Sequence, residues 1–261
     1  MPETDPRSLH DQDPTGRFAD RASDYARFRP AYPPEAIDAI LAGLPAPRSL
    51  VAADVGAGTG ISARLLADRG VAVHAIEPNA SMRAAAVPHD RVHWHDTSAE
   101  ATGLRSQSVH LVLCAQAFHW FRADVALSEF HRILQPRGRL ALLWNTRDDR
   151  DPFTQAYGQA IVRVATSAAA AERGFDGSVI HSRGHFTGVQ MLTFASSQAL
   201  DLHGLLGRAA SASYVPKSGP DWDWLSQSLR NLHGTHADAS GSVHLRYVTR
   251  LWLAIRAGHA D

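Results

Sequence analysis

The sequence predicts a three-layer α/β domain, and three observations carry that prediction. Val51–Gly60 reads VAADVGAGTG, an apolar run that ends in Asp54 and a glycine-rich turn. The next residues, ISARLLADRG, have helical periodicity, and VAVHAIEPN supplies a second apolar run ending in Glu77, seventeen residues after Gly60. Downstream, Val/Leu/Ala-rich runs with little polar alternation keep alternating with helical patterns, as buried parallel strands joined by right-handed crossovers do. Strand, glycine turn, helix, strand and acid together form a unit suited to a nucleoside-bearing cofactor.

Taken in order, residues 1–17 are expected to be a flexible tail and residues 18–48 a helical segment, with the core running over 49–261. Pro33 and Pro34 introduce a helix at Glu35–Leu44, because proline is pre-organised for the first helical turn. Strands are expected at Leu50–Asp54, Val71–Ile76, Val92–His95, Val109–Cys114 and Leu140–Trp144. Helices fall between them at Ile61–Arg69, Ala80–Val87 and Val125–Leu134. QPRGRL reads as a turn into the fifth strand, with Gly138 as its pivot. A long helix near Pro152–Arg173 and a short strand at Val189–Phe194 follow. Gln198–His236 reads as helices broken at VPKSGPDW, and HLRYVTRLWLAIR closes the sheet. The stretch at about 197–240 is expected to form a partial helical cap.

Composition narrows the function classes. The 261 residues hold 26 Lys plus Arg and 26 Asp plus Glu, so no long-range field gathers nucleic acid or an anionic membrane. A lone cysteine, Cys114, allows neither an internal disulfide nor a thiolate metal site. The polar start MPETDPRSLHDQDP lacks a signal-peptide core, and no apolar run is long enough to span a bilayer. A cytoplasmic enzyme is expected, as a monomer or a homodimer.

The glycine loop alone is a weak discriminator. A dinucleotide site wants G-x-G-x-x-G, but Gly56, Gly58 and Gly60 are followed by Ile61 and Ser62, so that match fails. No GKS or GKT is present, which excludes a phosphate-cradling P-loop. The loop still lets a compact ligand approach the backbone, and Asp54 is positioned to bond the ligand's ammonium or the loop amides.

With DVGAGTG, AIEPN, HDTSAE and LVLCAQAFHWF in this order, the chain resembles the class I S-adenosylmethionine-dependent methyltransferases. More narrowly, YARFRPAYP, QAFHWF, LLWNTRD and RAASASY resemble a small-molecule branch related to trans-aconitate and toxoflavin-pathway enzymes. The resemblance implies a Rossmann-like methyltransferase fold: a mostly parallel seven-stranded sheet, an antiparallel last strand and a partial helical cap. It implies S-adenosyl-L-methionine as cofactor, S-adenosyl-L-homocysteine as product, and methyl transfer to an O, N or C nucleophile of a small metabolite. Carried over, Gly56, Ala57 and Gly58 would pass under the methionine part, and Glu77 would accept both ribose hydroxyls. Met82, or the Pro78–Asn79 backbone, would line the adenine, with Ser98 and Ala99 on its other edge and Gln116 near the methionine end. Tyr25 and Arg29 would close the site from the N-terminal segment, with Arg29 meeting a carboxylate of cofactor or substrate. Two positions depart from the family pattern. Thr97 replaces the glycine of G-x-A-E and would tighten the adenine pocket; His110 replaces an acid and would lie away from the chemistry.

Methyl transfer to a nucleophile aligned behind a sulfonium draws its rate from alignment and desolvation. A base matters only if the acceptor must lose a proton, and His119, just past the fourth strand, is the candidate. Trp120, Phe121, Trp144 and Tyr214 would form an aromatic wall for a flat acceptor, against the alternative of core packing. Asn145 would orient the acceptor or else serve a turn, and Arg208, Ser211 and Ser213 would grip a polar group or else end a helix. His93, His95 and His119 lack a Cys, Asp or Glu complement, so no metal is expected. Two other readings stand beside methyl transfer: cyclisation or elimination using the same cofactor, and a non-catalytic regulatory protein that binds it.

Overall fold

A computed structural model describes residues 22–166 and 177–258. The expected tail at 1–17, residues 18–21 of the expected N-terminal segment and the far end of the expected Pro152–Arg173 helix lie outside the described residues. Helices α1 (Ala22–Phe28) and α2 (Pro34–Leu41) come first. The alternating unit follows as β1 (Val51–Val55), α3 (Ile61–Ala67), β2 (Ala72–Ile76), α4 (Ala80–Ala84) and β3 (Val92–His95). Next come β4 (Val109–Ala115), α5 (Ala123–Ile133), β5 (Leu134–Arg147) and α6 (Pro152–Val164). The chain closes with β6 (Phe186–Leu200), α7 (Leu202–Ala210), α8 (Pro220–His236) and β7 (Val243–Arg256).

The seven strands form one sheet in the order β3-β2-β1-β4-β5-β7-β6. Strands β1 to β5 pair in parallel, and β7 runs antiparallel to both β5 and β6. This is the Rossmann-like methyltransferase sheet that the motifs implied. Helices α3, α4 and α5 carry three of the four parallel crossovers, residues 96–108 join β3 to β4 without one, and with both faces covered the central strands read as unbroken apolar runs. On one face Val55, Ile76, Val112 and Cys114 pack with Leu127, Phe130 and Ile133 of α5. On the other, Ala52, Val73, Leu111 and Leu113 pack with Ile37 and Ile40 of α2 and Leu66 of α3. Each such Leu, Ile or Phe contributes about 1.5–3 kcal/mol by leaving water. A third apolar cluster joins Tyr157 and Ile161 of α6, Leu205 of α7, Leu225 and Leu229 of α8, and Leu245 and Tyr247 of β7.

Several boundaries differ from expectation for local reasons. Helix α2 begins at Pro34 and stops at Leu41, just before Gly43 takes φ +76°. QPRGRL is a kink inside β5 rather than a turn ahead of it. Arg137 takes the positive φ of 63°, while a Cβ on Gly138 would sit 2.9 Å from the Gln135 carbonyl oxygen. Strand β6 is far longer than Val189–Phe194, because it pairs with β7 along nearly its whole length. Its outer face is polar and open, with even Met191 exposed, so the apolar signal covered only its middle. Among the described residues no helix is long and apolar enough to cross a membrane.

Candidate active site

Strand order reverses on either side of β1, and the crevice at that switch lies beyond the carboxyl ends of β1, β2 and β4. Each loop there is shaped by its sequence. Gly56, Gly58 and Gly60 have φ of 70°, 58° and 77°, the left-handed region that disfavours side chains. At Gly56 a Cβ would also meet Ala117 Cβ at 2.5 Å, so the first turn passes directly under the end of β4. The Gly56 and Ala57 amides both donate to the Ile76 carbonyl, 2.9 and 3.1 Å away, which binds the loop to β2.

Glu77 ends β2 with both carboxylate oxygens held. Gly58 N donates to Oε2 and Asn79 N to Oε1, each at 2.9 Å. Burial raises its pKa and these two amides oppose the rise without cancelling it. A carboxylate offers about four acceptor sites, so two remain to face the crevice that Glu77 lines. Asn79 then caps α4 by accepting the Met82 amide at 3.0 Å, which turns Met82 into the crevice. Below the loop, Asp54 is fully buried; Oδ2 accepts Ser62 Oγ at 2.7 Å, whereas Oδ1 has no partner. Burial pushes its pKa up to about 7 against the Ser62 hydrogen bond.

The crevice is a cavity of about 410 Å³. It brings together Tyr25, Gly56, Gly58, Glu77, Pro78, Met82, Ser98, Ala99 and Gln116 from the expected cofactor set. Asp54 and Ala57 lie outside its lining. Asp54 is buried under the glycine loop, and the Ala57 side chain packs into the core on the α2–α3 face. Arg29 also lies outside it and instead stacks over the Tyr25 ring at 4.7 Å, with Nη2 donating to the Ser211 carbonyl at 3.3 Å. Thr97 does not narrow the crevice either, since its hydroxyl turns away to the Thr102 carbonyl at 3.0 Å. His110 accepts the Val51 amide at the opposite end of the strands. Glu100, Ala115, Ala117 and Arg122 also line the crevice and were missed; Glu100 accepts the Arg122 amide at 2.9 Å, a pairing no motif announces.

A second cavity of about 700 Å³ adjoins the first and shares Tyr25, Gln116 and Trp120 with it. Gln116 is fixed in the shared wall. It takes φ 58°, its amide donates to the Leu143 carbonyl, and Oε1 accepts the Asn145 amide at 2.7 Å. A non-glycine residue in this region stores roughly 1–2 kcal/mol of strain, which the surrounding bonds hold in place. His119, Trp120, Trp144, Asn145, Arg208 and Tyr214 all line the second cavity. The His119 ring stands 4.6 Å from Trp120 and 5.0 Å, edge-on, from Trp144. Phe121 packs instead against Phe118 and Phe130 and lines the crevice.

Asn145 has a structural load as well, accepting Thr249 Oγ1 at 2.6 Å and donating to the Ala31 carbonyl at 3.3 Å. Ser211 is buried off the cavity with its hydroxyl on the Arg208 carbonyl, while Ser213 reaches the lining. Sequence reasoning missed Arg147, Asp149, Tyr247 and one face of α6. That face was detectable, because Gln155, Gly158, Gln159 and Val162 recur at helical spacing. Among the described residues no group of three or more His, Cys, Asp and Glu could hold a metal ion. His74 and His95, at the sheet edge, bond each other at 2.9 Å.

The crevice fits the cofactor that the motifs imply. The bare glycine loop gives room above β1 and the open acceptor sites of Glu77 suit a diol, while the unpartnered Asp54 oxygen lies buried beneath that loop. A family model described as a methyltransferase domain matches residues 53–142. The chain is 36% identical over 242 residues to the uncharacterized methyltransferase Rv3342 of Mycobacterium tuberculosis, a match spanning 89% of this chain and 92% of the relative. It is 28% identical over 211 residues to the uncharacterized methyltransferase C25B8.09 of Schizosaccharomyces pombe, spanning 76% and 80%. In fold it is similar to Haemonchus contortus phosphoethanolamine N-methyltransferase 2, solved with phosphomonomethylethanolamine and S-adenosylhomocysteine. That likeness has a TM-score of 0.55 at 15% identity and covers 97% of this chain and 60% of the other.

Proposed function

Because the chain belongs to the S-adenosylmethionine-dependent methyltransferases, we propose that it methylates an O, N or C nucleophile of a small metabolite held in the larger cavity. The observation that carries this reading is the wall common to both cavities: Tyr25, Gln116 and Trp120 border each of them. Asp54, Gly56, Ala57, Gly58, Glu77, Pro78, Met82, Ser98, Ala99 and Gln116 would hold the cofactor. When bound, it supplies a methyl group on a positively charged sulfur. The protein's own part is alignment. Gln116, locked by Leu143 and Asn145, fixes one side of the opening, and Tyr25 and Trp120 border it.

His119 takes the acceptor's proton where the acceptor has one to lose, supported by its place in the cavity lining between two indoles. Trp120, Trp144 and Tyr214 favour a flat or apolar acceptor body. The finer assignment, to the branch resembling trans-aconitate and toxoflavin-pathway enzymes, draws support from YARFRPAYP and RAASASY, since Tyr25, Arg29, Arg208 and Tyr214 of those segments line one cavity. Incubating the protein with methyl-labelled cofactor and metabolite extracts tests the reading. It requires S-adenosylhomocysteine together with a product heavier by one methyl group. Methylthioadenosine, or cofactor turnover without a methylated product, would overturn it.

A further inference from the structure

Among the described residues the larger cavity is lined by Arg29, Arg147, Arg163 and Arg208 against a single carboxylate, Asp149. Arg208, in the last turn of α7, is only 5% exposed. Its hydrogen bond runs from Nε to the Tyr247 hydroxyl at 3.3 Å, and Tyr247 donates onward to Gln198 at 3.4 Å. These are neutral groups. Among the described residues, neither Arg208 nor Arg29 forms a salt bridge, and Arg29 Nε is buried without a partner. Burying a guanidinium without a counter-charge costs several kcal/mol, which a fold tolerates where a ligand brings the missing charge.

Tyr214 registers the field these groups create. Burial raises its phenol pKa, yet Arg29, Arg147 and Arg208 bring it net below the ordinary tyrosine value, helped by a hydrogen bond from Arg147. All three guanidiniums and Tyr214 line the same cavity. None of them lines the crevice, whose common border with the cavity is Tyr25, Gln116 and Trp120.

Building on the methyl-transfer reading, we infer that the acceptor carries an oxyanion, a carboxylate or a phosphate, anchored by Arg208 with Arg29 and Arg147, and that a different atom of it is methylated. Planar guanidiniums fork onto either oxyanion, and in a site shielded from water the pairing is strong. An oxyanion whose lone pairs are held by three guanidiniums is a poor nucleophile. The anchor thus points the rest of the acceptor toward the shared wall.

The test is calorimetry with S-adenosylhomocysteine present, titrating benzoate, phenyl phosphate and benzamide. The two anions keep an aromatic body, their comparison separates carboxylate from phosphate, and benzamide is benzoate's neutral counterpart. The anion that fits binds at least about tenfold more tightly than benzamide, and Arg208→Gln removes the preference. If Arg208→Gln does not fold, Arg29→Gln reduces the preference instead. Benzamide binding as tightly as both anions overturns the inference, as does a preference that survives both substitutions. So does the failure of all three compounds to bind while S-adenosylhomocysteine titrates normally. If S-adenosylhomocysteine does not bind but an anion preference dependent on Arg208 persists, the anchor stands and the cofactor reading falls.

Discussion

The Glu77 carboxylate accepts the Gly58 amide at 2.9 Å, so the acid ending the second strand holds the glycine turn that follows the first. The crevice floor and the acid that lines it are thereby one unit. A second amide, from Asn79, occupies the other oxygen.

Glu77→Gln should damage both functions of that unit. A carboxamide has one acceptor oxygen, so its NH₂ must face the amide of either Gly58 or Asn79, donor against donor. S-Adenosylhomocysteine affinity should fall by roughly 10- to 100-fold and the melting temperature should drop, both measurable on one preparation by calorimetry. Unchanged affinity would separate Glu77 from the ligand.

Gly56→Ala and Gly58→Ala should differ in kind. Both place alanine at positive φ, costing about 1–2 kcal/mol. At Gly56 the new methyl meets Ala117 Cβ at 2.5 Å and Phe121 Cζ at 2.9 Å, so the fold itself should be weakened. At Gly58 the nearest atom is Met82 Cε at 3.3 Å, the end of a flexible side chain in the crevice. Gly58→Ala should therefore fold well and lose cofactor affinity. Thermal denaturation and binding on the two variants check the ordering.

Asp54 should make both stability and binding depend on pH, in opposite directions. Its folded-state pKa is raised by burial from 3.8 to about 7. Between those values the native state holds a proton that the unfolded state has released, so stability falls as pH rises through that window and levels off above about 7. Asp54→Asn should consequently stabilise the ligand-free protein at pH 8, by on the order of 2–4 kcal/mol. If the carboxylate meets the ligand's ammonium, wild-type affinity should rise with pH up to about 7, and the variant should lose that rise. Denaturation and titration series from pH 5 to pH 8 measure both effects.

His119→Gln should lower kcat by about 10²-fold for a protic acceptor and leave S-adenosylhomocysteine affinity unchanged, because His119 lines the larger cavity alone. A turnover rate equal to wild type across the pH range would remove the base role and leave the ring as packing between Trp120 and Trp144.

The core sheet and the glycine unit were legible because each strand there is buried on both faces and each turn needs a residue type that only a few positions supply. Val51–Gly60 states its strand, acid and bend in ten letters. The ends were less legible. In β6 one face is open to solvent, so TGVQMLTFASSQ lacks the apolar density of a buried strand. The bend in β5 fell to Arg137, where no glycine marks it. Much of the crevice lining sits in loops with fixed spacing and was legible there, whereas Glu100 and Arg122 carried no motif and Ala57 turns its side chain into the core. The larger cavity was legible in part: His119, Trp120, Trp144, Asn145, Arg208 and Tyr214 sit in recognisable segments, whereas α6 and β7 lend it side chains that only tertiary packing brings together. Arg147 and Tyr247 gave no local signal. Ser211 shows the converse, a residue in a recognisable segment whose side chain turns inward to cap Arg208.

We propose that the glycine turn and Glu77 together form an adenosyl site. Titrating S-adenosylhomocysteine into the purified, folded protein by calorimetry tests it most directly. A saturable signal at one ligand per chain is the predicted result; a flat titration on protein that still melts cooperatively would contradict it.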